Sequence, residues 1–207
     1  MTERHVNWFA LEKACAVSAC PVCAIVGERT AKYIDNMLFE HVSDRGFRAT
    51  YREAGGFCAT HSANLDSWRD GLAVAILGVD ILSSFMPDLK RGKAPKRKGA
   101  CPACAESRRV ENEFLGYIGE RDEEEFVSFF TASPGLCVPH YARLLSLTRR
   151  VPQWLSEFQT ASFEHLLARS SAFIECSAWG RQGDFSALPE RDKTVWKELA
   201  RALRGNA

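Results

Sequence analysis

The chain has 207 residues, of which 46% are hydrophobic, and such a chain can bury one sizeable core or two small ones. Its 27 Lys and Arg residues against 26 Asp and Glu residues leave a formal net charge of +1. This balance provides no overall electrostatic attraction to nucleic acid or to an anionic membrane. We therefore do not expect a nucleic acid partner, and any binding partner is expected to be another protein.

The first ten residues and the most apolar segment indicate where in the cell the protein is located. Glu3 and His5 interrupt the first ten residues, which lack the basic start and apolar run of a secretory signal. The segment Leu72–Met86 contains Gly78 and Asp80 and is shorter than the roughly 20 residues that span a bilayer. We interpret it as a buried helix, with no membrane span, in a cytoplasmic protein. In that reducing compartment the eight cysteines are expected to be thiols or metal ligands.

Helical periodicity dominates the first half of the chain, where apolar residues such as Ile34 and Leu38 recur at intervals of three or four. Strand-like alternation is not found in the sequence. The pair Gly55-Gly56 is predicted to end a helix, and the segment 58–61 that follows is predicted to open a new one. These features predict an all-α fold.

The second half continues this pattern after a basic, Gly- and Pro-containing segment, Lys90–Gly99, which cannot build a packed helix. Pro134-Gly135 is predicted to end a helix, and the segment 137–140 is predicted to begin the next one. Apolar residues between Pro152 and Ala178 then indicate a long helix, followed by an amphipathic one. We expect these C-terminal helices to pack across the preceding units.

Two copies of one cysteine and histidine pattern organise the chain. Each copy is C-P-x-C, followed after spacers of nearly equal length by G-F-C-x-x-H or G-L-C-x-x-H. This is the signature of a duplication. It predicts a first helical unit over residues 1–89, a basic linker over 90–99, a second unit over 100–150 and C-terminal helices over 151–207. The candidate ligands are Cys20, Cys23, Cys58 and His61 in the first copy and Cys101, Cys104, Cys137 and His140 in the second.

Three thiolates and one imidazole are a ligand set typical of structural zinc. A tight turn in C-P-x-C, as in a zinc knuckle, brings two sulfurs to one ion, and C-x-x-H presents its pair on one face of a first helical turn. The net charge of about −1 would be partly stabilised by the dipole of that helix. Because four protein ligands leave no open position, we predict two structural Zn²⁺ sites and a non-enzymatic interaction module. Each site can form within one repeat or between the two, since both arrangements satisfy the spacing.

Three other interpretations of these residues remain open. Thiolate-rich sets also hold 2Fe–2S or 4Fe–4S clusters, which would make the chain an iron–sulfur redox or sensor protein. C-P-x-C at a helix start resembles a thiol redox motif, although the βαβ setting of that motif is not visible here. The residues could also be buried free thiols and a core histidine.

Several further residues are weaker candidates. Glu40, His41 and Asp44 crowd the helix after the first motif and could add ligands for a catalytic centre, but such residues are more often a solvated helix surface. Cys15 has no counterpart in the second copy, and Cys176 stands alone in the C-terminal part, so packing roles are expected. No catalytic constellation or cofactor-binding loop can be assembled from the sequence.

The duplicated motifs, together with the segment Tyr33–Glu40, Asp44, Arg48 and the closing Trp196 and Gly205, resemble an uncharacterised bacterial and archaeal family, one of the families named as domains of unknown function. The likeness covers nearly the whole chain. It implies a small cytosolic helical protein with two metal sites, and it implies no established activity.

Overall fold

The computed structural model describes residues 4–63, 65, 70–178 and 182–205. No strand occurs among them, and the predicted all-α class is confirmed. The described α-helices are α1 Val6–Cys15, α2 Pro21–Phe39, α3 Arg45–Ala54, α4 Ala59–Ser62, α5 Gly71–Leu89, α6 Pro102–Gly119, α7 Glu124–Thr131, α8 Val138–Leu147, α9 Gln153–Cys176, α10 Gln182–Ala187 and α11 Val195–Arg204. A 3-10 turn at Asp192–Thr194 precedes α11.

The chain divides into two compact units. The terminal unit contains Met1–Val26 and Glu111–Ala207, and the central unit contains Gly27–Val110. The boundaries lie inside α2 and α6, so these helices each begin in one unit and end in the other. The compact units therefore differ from the sequence division at residues 89, 99 and 150, which describes the repeats.

An aromatic core fills the terminal unit. Phe126 lies in contact with Trp8, Phe130 and Trp154, with ring centroids 5.5, 5.9 and 6.2 Å away. The Trp154 indole Nε1 donates a hydrogen bond to the backbone oxygen of Arg121 at 2.8 Å, so its one polar atom is satisfied. Helices α1, α7 and α9 are held together by these rings.

The central unit is built on a smaller core in which Tyr51 and Phe57 meet edge to face, with ring centroids 5.0 Å apart. Helices α3 and α5 pack together, and Asp80 of α5 receives two hydrogen bonds from the Arg48 guanidinium, at 2.6 and 2.7 Å. This bidentate pair lowers the pKa of Asp80 below its ordinary value and fixes which face of α5 meets α3.

Gly55 ends a helix as predicted, whereas α7 already ends at Thr131, before Gly135. Gly55 follows α3 with φ of 67° and donates its backbone N–H to the last turn. Gly135, four residues after α7, has φ of 74°. Residues with a β-carbon rarely adopt these conformations, so both turns require glycine.

The last residues of the basic linker contact the end of α3. The N–H of Lys98 donates to the backbone oxygen of Glu53 at 2.8 Å. A β-carbon built at Gly55 would lie 2.8 Å from the Arg97 side chain, so the linker runs against the end of α3. Both contacts lie within the central unit.

The prediction that Leu72–Met86 is a buried helix is wrong. Only Ala73 and Leu77 of α5 are buried, and large apolar side chains on its other face are exposed. Among the described residues, α5 is the one helix long and apolar enough to cross a membrane, with a mean hydropathy of 1.7 and 11% of that stretch buried. Most of the apolar surface of α5 is therefore not buried in the core of the central unit.

Candidate metal centres

The eight predicted ligands lie in two compact groups. Cluster I, in the terminal unit, contains Cys20, Cys23, Cys137 and His140, and cluster II, in the central unit, contains Cys58, His61, Cys101 and Cys104. Each cluster combines the C-P-x-C pair of one repeat with the C-x-x-H pair of the other. The structure thereby decides the arrangement that the sequence left open.

Each C-P-x-C pair lies at the start of a helix rather than in a zinc-knuckle turn. Cys20 immediately precedes α2, Pro21 is the first helical residue, and the N–H of Ala24 donates to the Cys20 backbone oxygen at 3.1 Å. Proline suits this first position because its φ is helical and its missing N–H has no helical acceptor there. The expected knuckle is therefore replaced by a first helical turn that points both sulfurs to one side.

Each C-x-x-H pair also opens a helix, as predicted. Cys58 is the N-cap of α4 and Cys137 is the N-cap of α8. The backbone oxygens of these two cysteines accept from the N–H groups four residues later, each at 2.9 Å. Each cluster is consequently the meeting point of two helix N-termini, whose positive dipole ends stabilise negative charge on sulfur.

Cluster I is compact and buried. The His140 Nδ1 lies 3.1 Å from the sulfur of Cys137 and 3.4 Å from the sulfurs of both Cys20 and Cys23. The sulfurs of Cys23 and Cys137 are 3.7 Å apart. All three cysteines are buried, and the His140 side chain is 12% exposed.

Cluster II has the same geometry closer to solvent. The His61 Nδ1 lies 3.3 Å from the sulfur of Cys58, 3.4 Å from that of Cys104 and 3.6 Å from that of Cys101. The sulfurs of Cys58 and Cys104 are 3.6 Å apart. Cys104 is exposed and the other three residues are partly buried.

These distances fit the edges of a tetrahedron around a single ion. Metal–sulfur bonds of about 2.3 Å and metal–nitrogen bonds of about 2.0 Å place two sulfurs about 3.8 Å apart and a sulfur and a nitrogen about 3.5 Å apart. The ligand atoms of each cluster all lie within 4.8 Å of one another. A disulfide would need about 2.05 Å between sulfurs, and all eight cysteines are free thiols. Both clusters are positioned to hold a metal ion.

The shifted pKa values in cluster I show how strongly its side chains interact. Hydrogen bonds with Cys137 and Cys23, together with burial, raise the pKa of Cys20 well above its ordinary value. Burial alone would lower the pKa of His140, but hydrogen bonds that its protonated ring donates to Cys137 and Cys23 outweigh the effect of burial and raise that pKa to about 10. A metal cation placed among these donors would neutralise the thiolates in place of the protonated imidazole.

In cluster II the surroundings shift the pKa values of two thiols in opposite directions. Burial tends to raise the pKa of Cys58, but the backbone N–H groups of His61 and Thr60 contribute to a net lowering. Loss of water and hydrogen bonds with Cys58 and Cys101 raise the pKa of Cys104 to about 12. Burial lowers the pKa of His61, which favours the neutral imidazole that binds metals.

Glu111 supports cluster I and was missed by the sequence reasoning. Its Oε1 lies 3.7 Å from the Nε2 of His140, the ring nitrogen that faces away from the sulfurs. This separation is longer than a hydrogen bond, so Glu111 acts on the ring through its charge; carboxylates at the second nitrogen of a histidine can orient the ring for metal binding. Ten residues after Cys20, the equivalent position of the first repeat is Thr30, whose Oγ1 lies 2.8 Å from the Oγ of Ser107. Nothing in the motif spacing identifies Glu111.

Gly205 closes cluster I from the end of α11. A β-carbon built there would lie 3.3 Å from the sulfur of Cys23 and 3.4 Å from that of Cys137. The residue has φ of 73°, which a residue with a side chain rarely adopts. The sequence marked Gly205 as part of the family resemblance and as a glycine after an amphipathic helix, but not as a neighbour of the cysteines.

Gln159 of α9 holds the segment that leads into Cys137. It is fully buried, its Oε1 accepts from the N–H of Leu136 at 2.8 Å, and its Nε2 donates to the Leu136 oxygen at 3.0 Å. The amide therefore replaces the backbone partner that this non-helical residue lacks. In the sequence, the signal for this role of Gln159 was a polar residue on the apolar face of α9.

A cavity of about 360 Å³ adjoins cluster I in the terminal unit. Its lining includes Cys20, Cys137, Phe163 and Arg169. The Arg169 guanidinium donates hydrogen bonds to Asp192 and Glu198, both at 2.7 Å, so two carboxylates face its single positive charge.

The weaker sequence candidates lie outside both clusters. Glu40 is exposed, and the Asp44 side chain caps α3 by accepting from the N–H of Phe47 at 2.6 Å. Burial raises the pKa of Cys15 to about 11, as expected for a packed thiol. Within the part of the chain that the structure describes, the groups of three or more possible metal ligands are clusters I and II, which do not include Glu40, His41, Asp44, Cys15 or Cys176.

The fold and the two clusters define an all-α protein with two Cys₃His groups. A curated relative from Caldicellulosiruptor sp. (strain Rt8B.4), the "Uncharacterized 23.9 kDa protein in xynA 3'region", is 29% identical over 139 residues, which cover 64% of this chain and 68% of the relative. No family model matches the chain. No solved structure matches it either.

Proposed function

We propose that the protein is a zinc-stapled helical interaction module with two structural Zn²⁺ sites. The observation that carries this proposal is that two separate Cys₃His groups, each drawn from both repeats, have the spacing of ligands around one ion. Cluster I would use Cys20, Cys23, Cys137 and His140, and cluster II would use Cys58, His61, Cys101 and Cys104.

Zinc is the ion that best matches this donor set. Three thiolates and one imidazole are typical of closed, four-coordinate zinc, which supplies cross-linking and no redox chemistry. The net charge of about −1 on each occupied site would be stabilised by the two helix N-termini that meet there. Reduced thiols are required for binding, which supports a reducing, cytoplasmic location.

The alternative, an iron–sulfur redox or sensor protein, fits the distances less well. A 2Fe–2S or 4Fe–4S cluster distributes its protein ligands over different irons, so those ligands are farther apart than the ligands of a single ion. The ligand atoms here lie within 4.8 Å of one another. This spacing favours one ion at each site.

The proposed role is structural rather than catalytic. Four protein donors fill a tetrahedral zinc and leave no position for substrate or water. Each ion would instead tie together segments that are distant in sequence, since the paired sulfurs are 114 residues apart in cluster I and 46 apart in cluster II. Cross-links over such long loops restrict the unfolded chain most strongly. The protein partner that such a module would bind is unknown.

Family membership is part of this proposal. The relative from Caldicellulosiruptor covers about two thirds of the chain and its name describes no activity. We infer that proteins of this kind form an uncharacterised family defined by the duplicated C-P-x-C and C-x-x-H motifs.

Elemental analysis of anaerobically purified full-length protein tests the proposal. We expect about two zinc ions per chain in the wild type and about one in each of Cys23→Ser and Cys104→Ser, which remove one ligand from cluster I and cluster II respectively. Cys15→Ser and Cys176→Ser are matched controls and should keep two. Iron with sulfide and visible absorption would replace this proposal with the iron–sulfur alternative, and protein without metal would overturn both.

A further inference from the structure

Helix α5 carries an exposed apolar stripe with the spacing of a coiled-coil seam. Its members are Leu72, Ala75, Val79, Leu82, Met86 and Leu89. They follow one another at alternating intervals of three and four residues, the a and d positions of a heptad repeat. The exposed fractions of the five large side chains are 72% for Leu72, 63% for Val79, 57% for Leu82, 37% for Met86 and 47% for Leu89.

The opposite face of α5 packs against the rest of the central unit. Ala73 and Leu77 are buried in the core of the central unit, and Asp80 is bound by Arg48. The helix is therefore held in place by one face while the seam faces solvent. Because folding has already ordered this helix, a partner on the seam would not have to supply the free energy of helix formation.

From this geometry we propose that the seam binds the α5 seam of a second copy of the chain, in antiparallel orientation. The proposal is independent of the metal sites. An antiparallel pairing centred between Asp80 and Ile81 places Leu72 opposite Leu89 and Val79 opposite Leu82. The small Ala75 then lies opposite the long Met86, so large and small side chains alternate as close packing requires.

The charges at the ends of the seam are complementary in the same orientation. Asp70, which caps the start of α5, is opposite Arg91, which follows the helix and pairs with Asp88 of its own chain, so each end of a symmetric dimer would join these groups in one charge network. Parallel pairing would instead place Asp70 against Asp70 and Arg91 against Arg91. The positions flanking the seam include Gly78 and Ser83, which are exposed and uncharged, so they raise no repulsion.

The exposed area reaches the minimum for an interface between two proteins. If the whole seam were covered on both copies, about 1,000 Å² of mainly apolar surface would be removed from water, which suits a weak, concentration-dependent dimer. A membrane is the other apolar environment that α5 could meet. Insertion across a bilayer would require α5 to leave the core of the central unit and Asp80 to lose its Arg48 partner, so we favour the second copy.

Sedimentation equilibrium of the full-length zinc-loaded protein over a range of concentrations tests the inference. We expect wild type to associate to twice the chain mass of 23.1 kDa. Val79→Lys and Leu82→Glu should each weaken the dimer on the order of 100-fold, because each homodimer would bury two unpaired charges. The control Leu167→Glu, at a leucine of α9 that is 65% exposed, should leave the dimer intact.

Mixing the two variants distinguishes the antiparallel register from other arrangements. In an antiparallel heterodimer the introduced Lys at 79 faces the introduced Glu at 82 of the other chain, so mixing should restore association. Failure of the mixture to associate contradicts the register. A monomeric wild type, with or without binding to anionic lipid vesicles, overturns the proposal, and so does a wild-type dimer that neither charged variant weakens. Circular dichroism and zinc content verify that each variant is folded.

Discussion

The sulfurs of Cys23 and Cys137 lie 3.7 Å apart although 114 residues separate them in the chain. Cys23 belongs to the first C-P-x-C motif and Cys137 to the second C-x-x-H motif, so this contact exists only if the repeats exchange their half-sites. Cluster II repeats the exchange in the other direction. The two ions we propose would thus cross-link both repeats to each other rather than stabilise each repeat alone.

Zinc should leave cluster II before cluster I. Cys104 is exposed whereas the three cysteines of cluster I are buried, so a chelator reaches cluster II without prior opening of the fold. With excess chelator and a colorimetric zinc indicator, we expect two release phases whose rates differ by about tenfold or more. In Cys104→Ser only the slow phase should remain, and in Cys23→Ser only the fast one. A single phase of two zinc ions in the wild type would contradict the difference in access.

Substitution of Glu111 should weaken metal binding at cluster I alone. Glu111→Gln removes the negative charge near His140 Nε2, and loss of such a supporting carboxylate lowers metal affinity by about 10-fold to 100-fold. Competition with a zinc chelator of known affinity measures the change. Glu120→Gln, at an exposed side chain of the same unit, is the control and should bind two zinc ions with wild-type affinity. Equal weakening by both variants would show a general charge effect instead.

Gly205→Ala should destabilise the end of α11 and disturb cluster I. The new β-carbon would meet the sulfurs of Cys23 and Cys137, and the positive φ adds backbone strain of about 1 kcal/mol or more. We expect a lower free energy of unfolding in urea and faster zinc release from cluster I. The control is Gly116→Ala in α6, where a β-carbon meets nothing within 4 Å and helix propensity favours alanine by about 0.5–1 kcal/mol. If Gly205→Ala behaves like this control, the close approach of Gly205 to cluster I is not important.

Gln159→Leu should be strongly destabilising although it makes the core more apolar. It would leave the N–H and oxygen of Leu136 without their buried partner, at a cost of about 1–3 kcal/mol for each group. We expect a decrease of about 2–4 kcal/mol in the free energy of unfolding, measured with zinc bound. Gln153→Ala, at the exposed start of α9, should change stability by less than about 0.5 kcal/mol. A small effect of Gln159→Leu would show that the segment before Cys137 does not need this anchor.

Local structure could be predicted well because local chemistry determines it. Gly55 and Gly135 supply the positive φ that ends a helix or turns the chain, and Cys58 and Cys137 stand where helices begin. The prediction that α5 is buried was wrong because hydropathy, too, is a local property of the chain. Its apolar residues were attributed to a core, but hydropathy does not say which face of a helix finds a partner, and here the core uses Ala73 and Leu77 while the seam stays exposed.

The roles of the supporting residues could not be predicted from the cysteine and histidine motifs, although the polar Gln159 on an apolar helix face was a signal. Glu111, Gln159 and Gly205 belong to no motif, and each approaches cluster I or its lead-in segment through the packing of a different helix. A sequence pattern records neighbours within a turn or two of helix, whereas these contacts depend on how α6, α9 and α11 are placed in the terminal unit.

By itself the sequence determined the donors: six cysteines and two histidines in pairs three residues apart, each pair brought to one side by the first turn of its helix. It could not determine which pair joins which, because a C-P-x-C pair is chemically able to complete a tetrahedron with either C-x-x-H pair. Only the tertiary structure decided this, by bringing the starts of α2 and α8 together in the terminal unit and the starts of α4 and α6 together in the central unit. The physical reason is that ligand chemistry acts over a few ångströms, whereas the choice of partner depends on the packing of helices that are far apart in the chain.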